Sequence, residues 1–267
     1  MLIAQISDAH IVAEGRKTYG IAPMAENLAR CIDHINQLVP QPDIVLVTGD
    51  LTNIGTREEA DHAAKLLNRF EMPFYIVPGN HDDRAILWQV FGGKACPAMA
   101  GGFINYVIDN HNVRLIGMDS VAAGASGGAL CDTRANWLEA RLGEEAEKPT
   151  VIFMHHPPVK CSVLETDEDG FAGVERLGQI ITKYDNIERI LCGHIHLLVH
   201  ARWQGTVVTT APSMGMQLGL DLTMERPSEF FLEDPGYLLH YWTPQNTLIT
   251  HTVYVRDHDG PYPFEDQ

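Results

Sequence analysis

Five short segments carry side chains able to bind metal: Asp8-Ala9-His10, Gly49-Asp50, Gly79-Asn80-His81-Asp82, His155-His156-Pro157 and Gly193-His194-Ile195-His196. Carboxylate, amide and imidazole donors without a thiolate suit Mn, Fe, Zn or Co, with supply deciding among them. Asp8 and His10, two residues apart, can point into one site. Asp50 follows a glycine that lets the chain turn without a Cβ clash, and it is the natural carboxylate to bridge two ions. Asn80 offers an amide oxygen, and His155, His194 and His196 offer imidazoles. Two ions about 3.5–4 Å apart lower the pKa of a shared water and stabilise charge on a phosphoryl group, so the set points to hydrolysis.

Such distant residues need a scaffold that gathers them. Four of the five segments directly follow an apolar run that reads as a strand, and strand ends in an α/β protein open onto one edge of the sheet. The runs are Leu2 to Ser7, Asp43 to Thr48, Thr150 to Met154 and Ile187 to Cys192, with Pro73 to Val77 reaching Gly79 across Pro78. Between them, Met24 to Val39 has helical spacing, and Thr56 with Glu59 forms a capping box that starts another helix. Helices are also expected over Thr133 to Ala146 and Gly173 to Tyr184. Hairpins are expected around Asn110-His111-Asn112, at Gln204-Gly205 and between Gly236 and Val255. This alternation predicts an α/β fold with largely parallel pairing.

The remaining candidates read as ordinary structure. His34, His62, His111, His251 and His258 are expected at the surface or satisfied in the core, and His200 and His240 are expected to be structural. The run Glu165-Thr166-Asp167-Glu168-Asp169 reads as a solvated loop. Met214, Met216 and Met224 read as packing, with pocket lining as the alternative. From Ser213 to Pro235 the periodicity fades, and the exposed-looking Met, Leu and Phe there suggest a cap or an oligomer contact.

Composition limits the partners. With 19 Lys and Arg against 35 Asp and Glu, the formal charge is −16, which disfavours binding to long nucleic acid. The 45% apolar content suits a packed core, yet no apolar stretch reaches membrane-spanning length. Cys31, Cys96, Cys131, Cys161 and Cys192 form no CxxC pair, which points to a reducing cytoplasm rather than a disulfide framework.

In this order the motifs Asp-x-His, Gly-Asp, Gly-Asn-His-Asp, His-x-Pro and Gly-His-x-His resemble the calcineurin-like metallophosphoesterase superfamily. Gln5-Ile6-Ser7-Asp8-Ala9-His10 and His155-His156-Pro157-Pro158 resemble in particular its small bacterial glycerophosphodiesterases and class III cyclic-nucleotide phosphodiesterases. The resemblance implies a four-layer α/β/β/α sandwich with its site at the strand C-terminal edge. It implies one ion on Asp8, His10, Asp50 and His196 and a second on Asp50, Asn80, His155 and His194, both divalent or mixed-valence transition metals. His81 then lies beside the phosphate or the leaving group, His156 supports His155, and Gln217 falls where relatives place substrate-side residues. The expected division is a catalytic core over 1–212, a cap or oligomerisation insertion over 213–235, a closing hairpin over 236–256 and a tail over 257–267.

The reaction this implies is attack by a hydroxide bridging the two ions on a small phosphodiester, a cyclic nucleotide or a glycerophosphodiester. A phosphomonoesterase is the alternative. Protein phosphatases of the superfamily carry Gly-Asp-x-x-Asp-Arg-Gly, whose Arg clamps a dianionic monoester. Here Gly49-Asp50-Leu51-Thr52-Asn53-Ile54-Gly55 lacks the second Asp and the Arg. A non-catalytic metal scaffold is the third reading, and the complete ligand set argues against it. A soluble homo-oligomer, acting on a small molecule away from membranes, is the expected form.

Overall fold

The computed structural model describes residues 1–257 and 259–264, so His258 and part of the 257–267 tail lie outside the described residues. The first half runs β1 (Leu2–Ile6), α1 (Met24–Asn36), β2 (Ile44–Thr48), α2 (Arg57–Leu67), β3 (Phe74–Val77) and α3 (Arg84–Phe91). Next come β4 (Tyr106–Ile108), β5 (Arg114–Met118), β6 (Gly128–Ala129), α4 (Asp132–Glu144), β7 (Thr150–Met154) and α5 (Leu164–Asp169). β8 (Phe171–Ala172), α6 (Val174–Ile181), β9 (Ile187–Cys192), β10 (His200–Trp203) and β11 (Thr206–Thr210) follow. The chain closes with β12 (Met216–Leu218), β13 (Phe230–Leu232), β14 (Gly236–Trp242) and β15 (Leu248–Tyr254).

One sheet has the order β15-β14-β1-β2-β3, and the other β10-β11-β9-β7-β5-β4. β1, β2 and β3 are mutually parallel, as are β5, β7, β9 and β11, while the outer hairpin strands run antiparallel. The two-residue period of a strand sends alternate side chains to opposite faces. In the second sheet Leu115, Val151, Phe153 and Leu191 accordingly join the core shared with the first sheet. Their neighbours Ile116, Ile152, Met154 and Ile190 pack instead with Leu138 of α4 and Leu177, Ile180 and Ile181 of α6. On the other side Leu28, Cys31, Ile32 and Ile35 of α1 cover the first sheet. The result is the expected α/β/β/α layering.

One polar side chain links the sheets at the edge that matters. Gln5 of β1 is fully buried and donates to Thr48 Oγ1 at 3.0 Å and to Cys192 O of β9 at 2.9 Å. Its Oε1 accepts from His240 Nε2 at 3.0 Å, while Thr250 Oγ1 donates to His240 Nδ1 at 2.9 Å. Burial, with Arg189 nearby, pushes the His240 pKa down to about 3, so the ring is neutral and structural.

All three expected hairpins form, and Thr56 and Glu59 make their reciprocal capping bonds at the start of α2. One expectation fails. The acidic run 165–169 is helical in α5, because Asp167 accepts from Cys161 N at 2.7 Å and Ser162 N at 3.0 Å, tying the incoming turn to the helix. Met214 and Met216 pack in the core as read, and the exposed apolar residues of that region are Leu220, Leu222, Phe231 and Leu232. The segment also contains a small antiparallel pair, β12 with β13.

Removing the bridging amide should cost more than removing a surface cap. Gln5→Ala leaves His240 Nε2 buried without its partner and Cys192 O with only the Ala211 N–H, and should destabilise the fold by about 1–3 kcal/mol. Thr56→Ala should cost about 1 kcal/mol through its cap alone. Urea unfolding of the two variants checks both the sizes and their order.

Candidate metal centre

All five ligand-bearing segments leave the C-terminal ends of parallel strands: β1, β2 and β3 in one sheet, β7 and β9 in the other. Because the sheets are stacked, the two sets of strand ends meet along one crest. The backbone is bent there to aim the side chains. Asp8, His10, Asp50, His194 and His196 all have positive φ, between 43° and 70°. Such conformations are strained for residues with a Cβ, and they persist only where the surroundings over-determine them.

Two glycines make room for this crowding. Gly49 has φ of +88°, and a Cβ there would overlap the His155 ring. A Cβ on Gly193 would strike the Ser7 hydroxyl and lie 2.7 Å from Asp8 Oδ2. The expectation that glycine lets Asp50 reach the edge is therefore met, with His155 as the neighbour that requires it.

The convergence is close. His10 Nε2 lies 3.0 Å from His196 Nε2, and His196 Nε2 lies 3.4 Å from Asp8 Oδ1. On the other side His155 Nε2 lies 3.1 Å from Asn80 Oδ1. Asp50 Oδ2 stands between the groups, 3.8 Å from His10 Nε2 and 3.2 Å from His155 Nε2. The His194 ring centroid is 5.0 Å from that of His155, and the His81 centroid is 4.7 Å from that of His10. All eight residues singled out in the sequence are brought together.

Hydrogen bonds orient the donors. Nδ1 of His155 donates to Thr48 O at 2.8 Å, and Nδ1 of His196 donates to Met216 O at 2.7 Å. Each bond fixes the tautomer whose Nε2 lone pair faces the cluster, the arrangement typical of metal-binding histidines. His81 Nδ1 donates to Asn53 O at 2.7 Å, and the His81 backbone N–H donates to Asp50 Oδ1 at 2.9 Å. The His194 N–H lies 3.1 Å from both Asp8 carboxylate oxygens. His10 differs, since its Nδ1 is buried with no partner among the described residues. His156 is fully engaged: Ser120 Oγ donates to Nδ1 at 2.8 Å and Nε2 donates to Ser126 O at 3.0 Å. It braces His155 and has no lone pair free, despite lying with His155 and His194 in a potential ligand group.

The electrostatics fit a site built for cations. Burial opposes ionisation of Asp50, yet His155 and His10 hold its carboxyl well below the usual range. Burial also opposes charge on His155, but Asp50 and Asp8 push it up to about 9. His10, buried and beside His196, falls to about 3, and His194, buried and beside His155, falls to about 4. Two carboxylates thus draw positive charge to themselves while two neighbouring imidazoles stay neutral. Hard oxygens and neutral nitrogens around a shared carboxylate fit two divalent ions.

Two further residues shape the site. Asp82 closes Gly-Asn-His-Asp and accepts from Gly79 N, Leu51 N, Thr52 N and Thr52 Oγ1, locking the Asn80 turn onto the Asp50 turn. Burial, with Asp50 nearby, raises its pKa to about 6. Its acidic type was visible in the motif, but its role needs backbone partners that no spacing reveals. The Gln217 amide closes a turn with Ser213 through bonds of 3.2 and 2.8 Å, and the pocket lined by His10 and His81 does not include it.

Comparison with known proteins agrees with this geometry. The calcineurin-like phosphoesterase model matches residues 1–198, so the chain belongs to that family and is a metal-dependent phosphoesterase. It is 37% identical to a probable glycerophosphodiester phosphodiesterase of Arcobacter nitrofigilis, covering 100% of this chain and 98% of that protein. It is 29% identical to a probable cyclic nucleotide phosphodiesterase of Rhodopseudomonas palustris, over 98% and 94% of the two chains. A dimetal phosphatase from Danio rerio shares the fold at a TM-score of 0.65 and 14% identity, over 96% and 99% of the chains.

Gly193→Ala should preserve the donor atoms yet displace Asp8 from them. Metal affinity should fall about 10–100-fold, as for other changes in groups that orient ligands. Competition against a chelating dye measures the change, with circular dichroism as the check on folding.

Proposed function

We propose that the protein hydrolyses small phosphodiesters at a pair of transition-metal ions. Asp8, His10, Asp50 and His196 hold one ion; Asp50, Asn80, His155 and His194 hold the other. The observation that carries this reading is the placement of Asp50 Oδ2, within 3.8 Å of one histidine set and 3.2 Å of the other. When bound, such ions supply Lewis acidity and a water of lowered pKa. Mn, Fe, Zn and Co all suit the donors.

The chain's own residues do the positioning. Asn53 O holds His81 Nδ1, which leaves Nε2 directed at the pocket. His81 Nε2 is thereby placed to contact a phosphoryl oxygen or the departing alkoxide of a bound diester. Diesters are favoured because the Asp50 loop lacks the arginine that would clamp a monoester dianion. The names of the relatives point the same way, to glycerophosphodiesters and cyclic nucleotides.

We further assign the 213–235 segment as a cap. Ser228, Glu229 and Phe230 line a pocket of about 180 Å³ with His10, Asp50 and His81, and the Phe230 ring lies 5.7 Å from that of Tyr19. Ser228 N donates to Glu165 of α5 at 2.7 Å, fastening the cap across the crest. The exposed Leu220, Leu222, Phe231 and Leu232 support an oligomer contact on its outer side. Five free cysteines support a reducing cytoplasm as the working compartment, and no helix among the described residues is long and apolar enough to cross a membrane.

Asp50→Ala should abolish turnover of bis(p-nitrophenyl) phosphate even at saturating manganese, and turnover retained there would overturn the assignment. Wild type should prefer that diester to p-nitrophenyl phosphate. His81→Ala should keep both ions, counted by elemental analysis, while kcat falls about 10²–10³-fold. Replacing the exposed cap leucines and Phe231 with Ser should shift the gel-filtration volume toward a smaller species.

A further inference from the structure

The largest opening beside the metal centre contains a cation that the hydrolytic reading leaves unused. A cleft of about 760 Å³ runs from Asn80 and His81 past Arg84 to the 121–126 loop, whose small residues leave it wide. Among the described residues lining it, Arg84 is the one Lys or Arg. Of the two acids there, Asp82 is held by the four donors already named, and Asp83 caps the Ile86 N–H at 2.9 Å and stays exposed beside Arg84.

Arg84 is held for a purpose beyond its own packing. Its Nε and Nη2 bind the fully buried Asp119 carboxylate, and Nη2 also reaches Val121 O at 3.4 Å. Its guanidinium lies 5.0 Å from the Phe103 centroid. Arg134 lies 4.3 Å from the same ring, with Nη1 3.9 Å from the same carboxylate. Two guanidinium groups therefore face one carboxylate. Arg134 is buried and donates to Asp119 O and Val121 O. Arg84 is 24% exposed, and its Nη1 has no hydrogen-bond partner among the described residues. Nη1 is thus the guanidinium nitrogen left for a ligand in the cleft that Arg84 lines. A guanidinium pre-set in this way loses little freedom on binding a carboxylate or phosphate.

We propose that Arg84 is a specificity-determining residue that binds an anionic group on whichever half of the diester occupies the cleft. This rests on the phosphodiesterase reading. With the scissile phosphorus beside His81, the 180 Å³ pocket lined by Phe230 would take the other half.

A matched pair of substrates isolates the charge. Bis(p-nitrophenyl) phosphate and p-nitrophenyl 4-carboxyphenyl phosphate release the same leaving group and differ by a nitro group against an isosteric carboxylate. Manganese-loaded wild type should show the lower KM for the carboxylate ester. Arg84→Met should raise that KM about tenfold, the scale of a lost charge-assisted hydrogen bond, and change the other less than about twofold. Ala123→Glu, at an exposed position on the same cleft, should also raise only the carboxylate ester's KM, and it carries the test if Arg84→Met fails to fold. Equal effects on both esters, or no wild-type preference, would overturn the role of Arg84 while leaving the diesterase reading intact. A fully metal-loaded wild type inactive on both esters would overturn the two together.

Discussion

The burial of Asp50 is the constraint from which the rest of the architecture follows. A carboxylate withdrawn from water is tolerated only where cations and N–H donors face it. Asp50 has His155 at 3.2 Å, His10 at 3.8 Å and the His81 N–H at 2.9 Å, and each comes from a different stretch of chain. Supplying all of them at one point requires strand ends from two stacked sheets. The positive φ values at Asp8, His10, Asp50, His194 and His196 record how sharply the chain must turn to do this. The folded sandwich holds those turns, and ions at the crest would replace the protons that His155 and Asp50 now share.

The histidines sort themselves by this same field. Burial opposes charge on all four, and the carboxylates outweigh it at His155 and His196, which are pushed up. At His10 and His194 burial, aided by a neighbouring imidazole, prevails over Asp50 and Asp8, and both are pushed down. This division leaves neutral nitrogens available on both sides of Asp50, which is what a shared carboxylate needs around it.

Much of this was legible in the sequence, for a physical reason. Ligands placed immediately after apolar strands are fixed in space by the strands, so motif order and strand order carry the same information. The hairpins and the Thr56 cap likewise follow from periodicity and local chemistry, whereas the four-layer stacking was implied by the family resemblance. What escaped reading depends on partners distant in the chain. α3 buries only Leu87 and Phe91, too few for a period to show. α5 buries nothing, and its acidic run resembles a solvated loop until Asp167 is seen capping the turn before it. The β12–β13 pair is brief, three residues in each strand, and leaves no period to read. Asp82, Asp119 and Arg84 act through backbone and buried contacts that have no linear signature.

The division between legible and illegible also separates two kinds of function. Metal ligands sit on strand ends, where a shift of one residue would turn a side chain away from the cluster. The residues lining the adjoining clefts sit on the 121–126 loop, at the start of α3 and at Ser228, Glu229 and Phe230. This arrangement also resolves an apparent conflict of charge. A formal charge of −16 should repel an anionic phosphodiester, but surface charges are screened beyond about 8 Å at physiological ionic strength. Within that distance a substrate bound as proposed would meet the ions of the metal centre, His81 and the Arg84 guanidinium beside Asp119. The acidic exterior therefore discourages long polyanions, which must lie along the surface, and leaves a single phosphodiester free to enter a locally cationic crest.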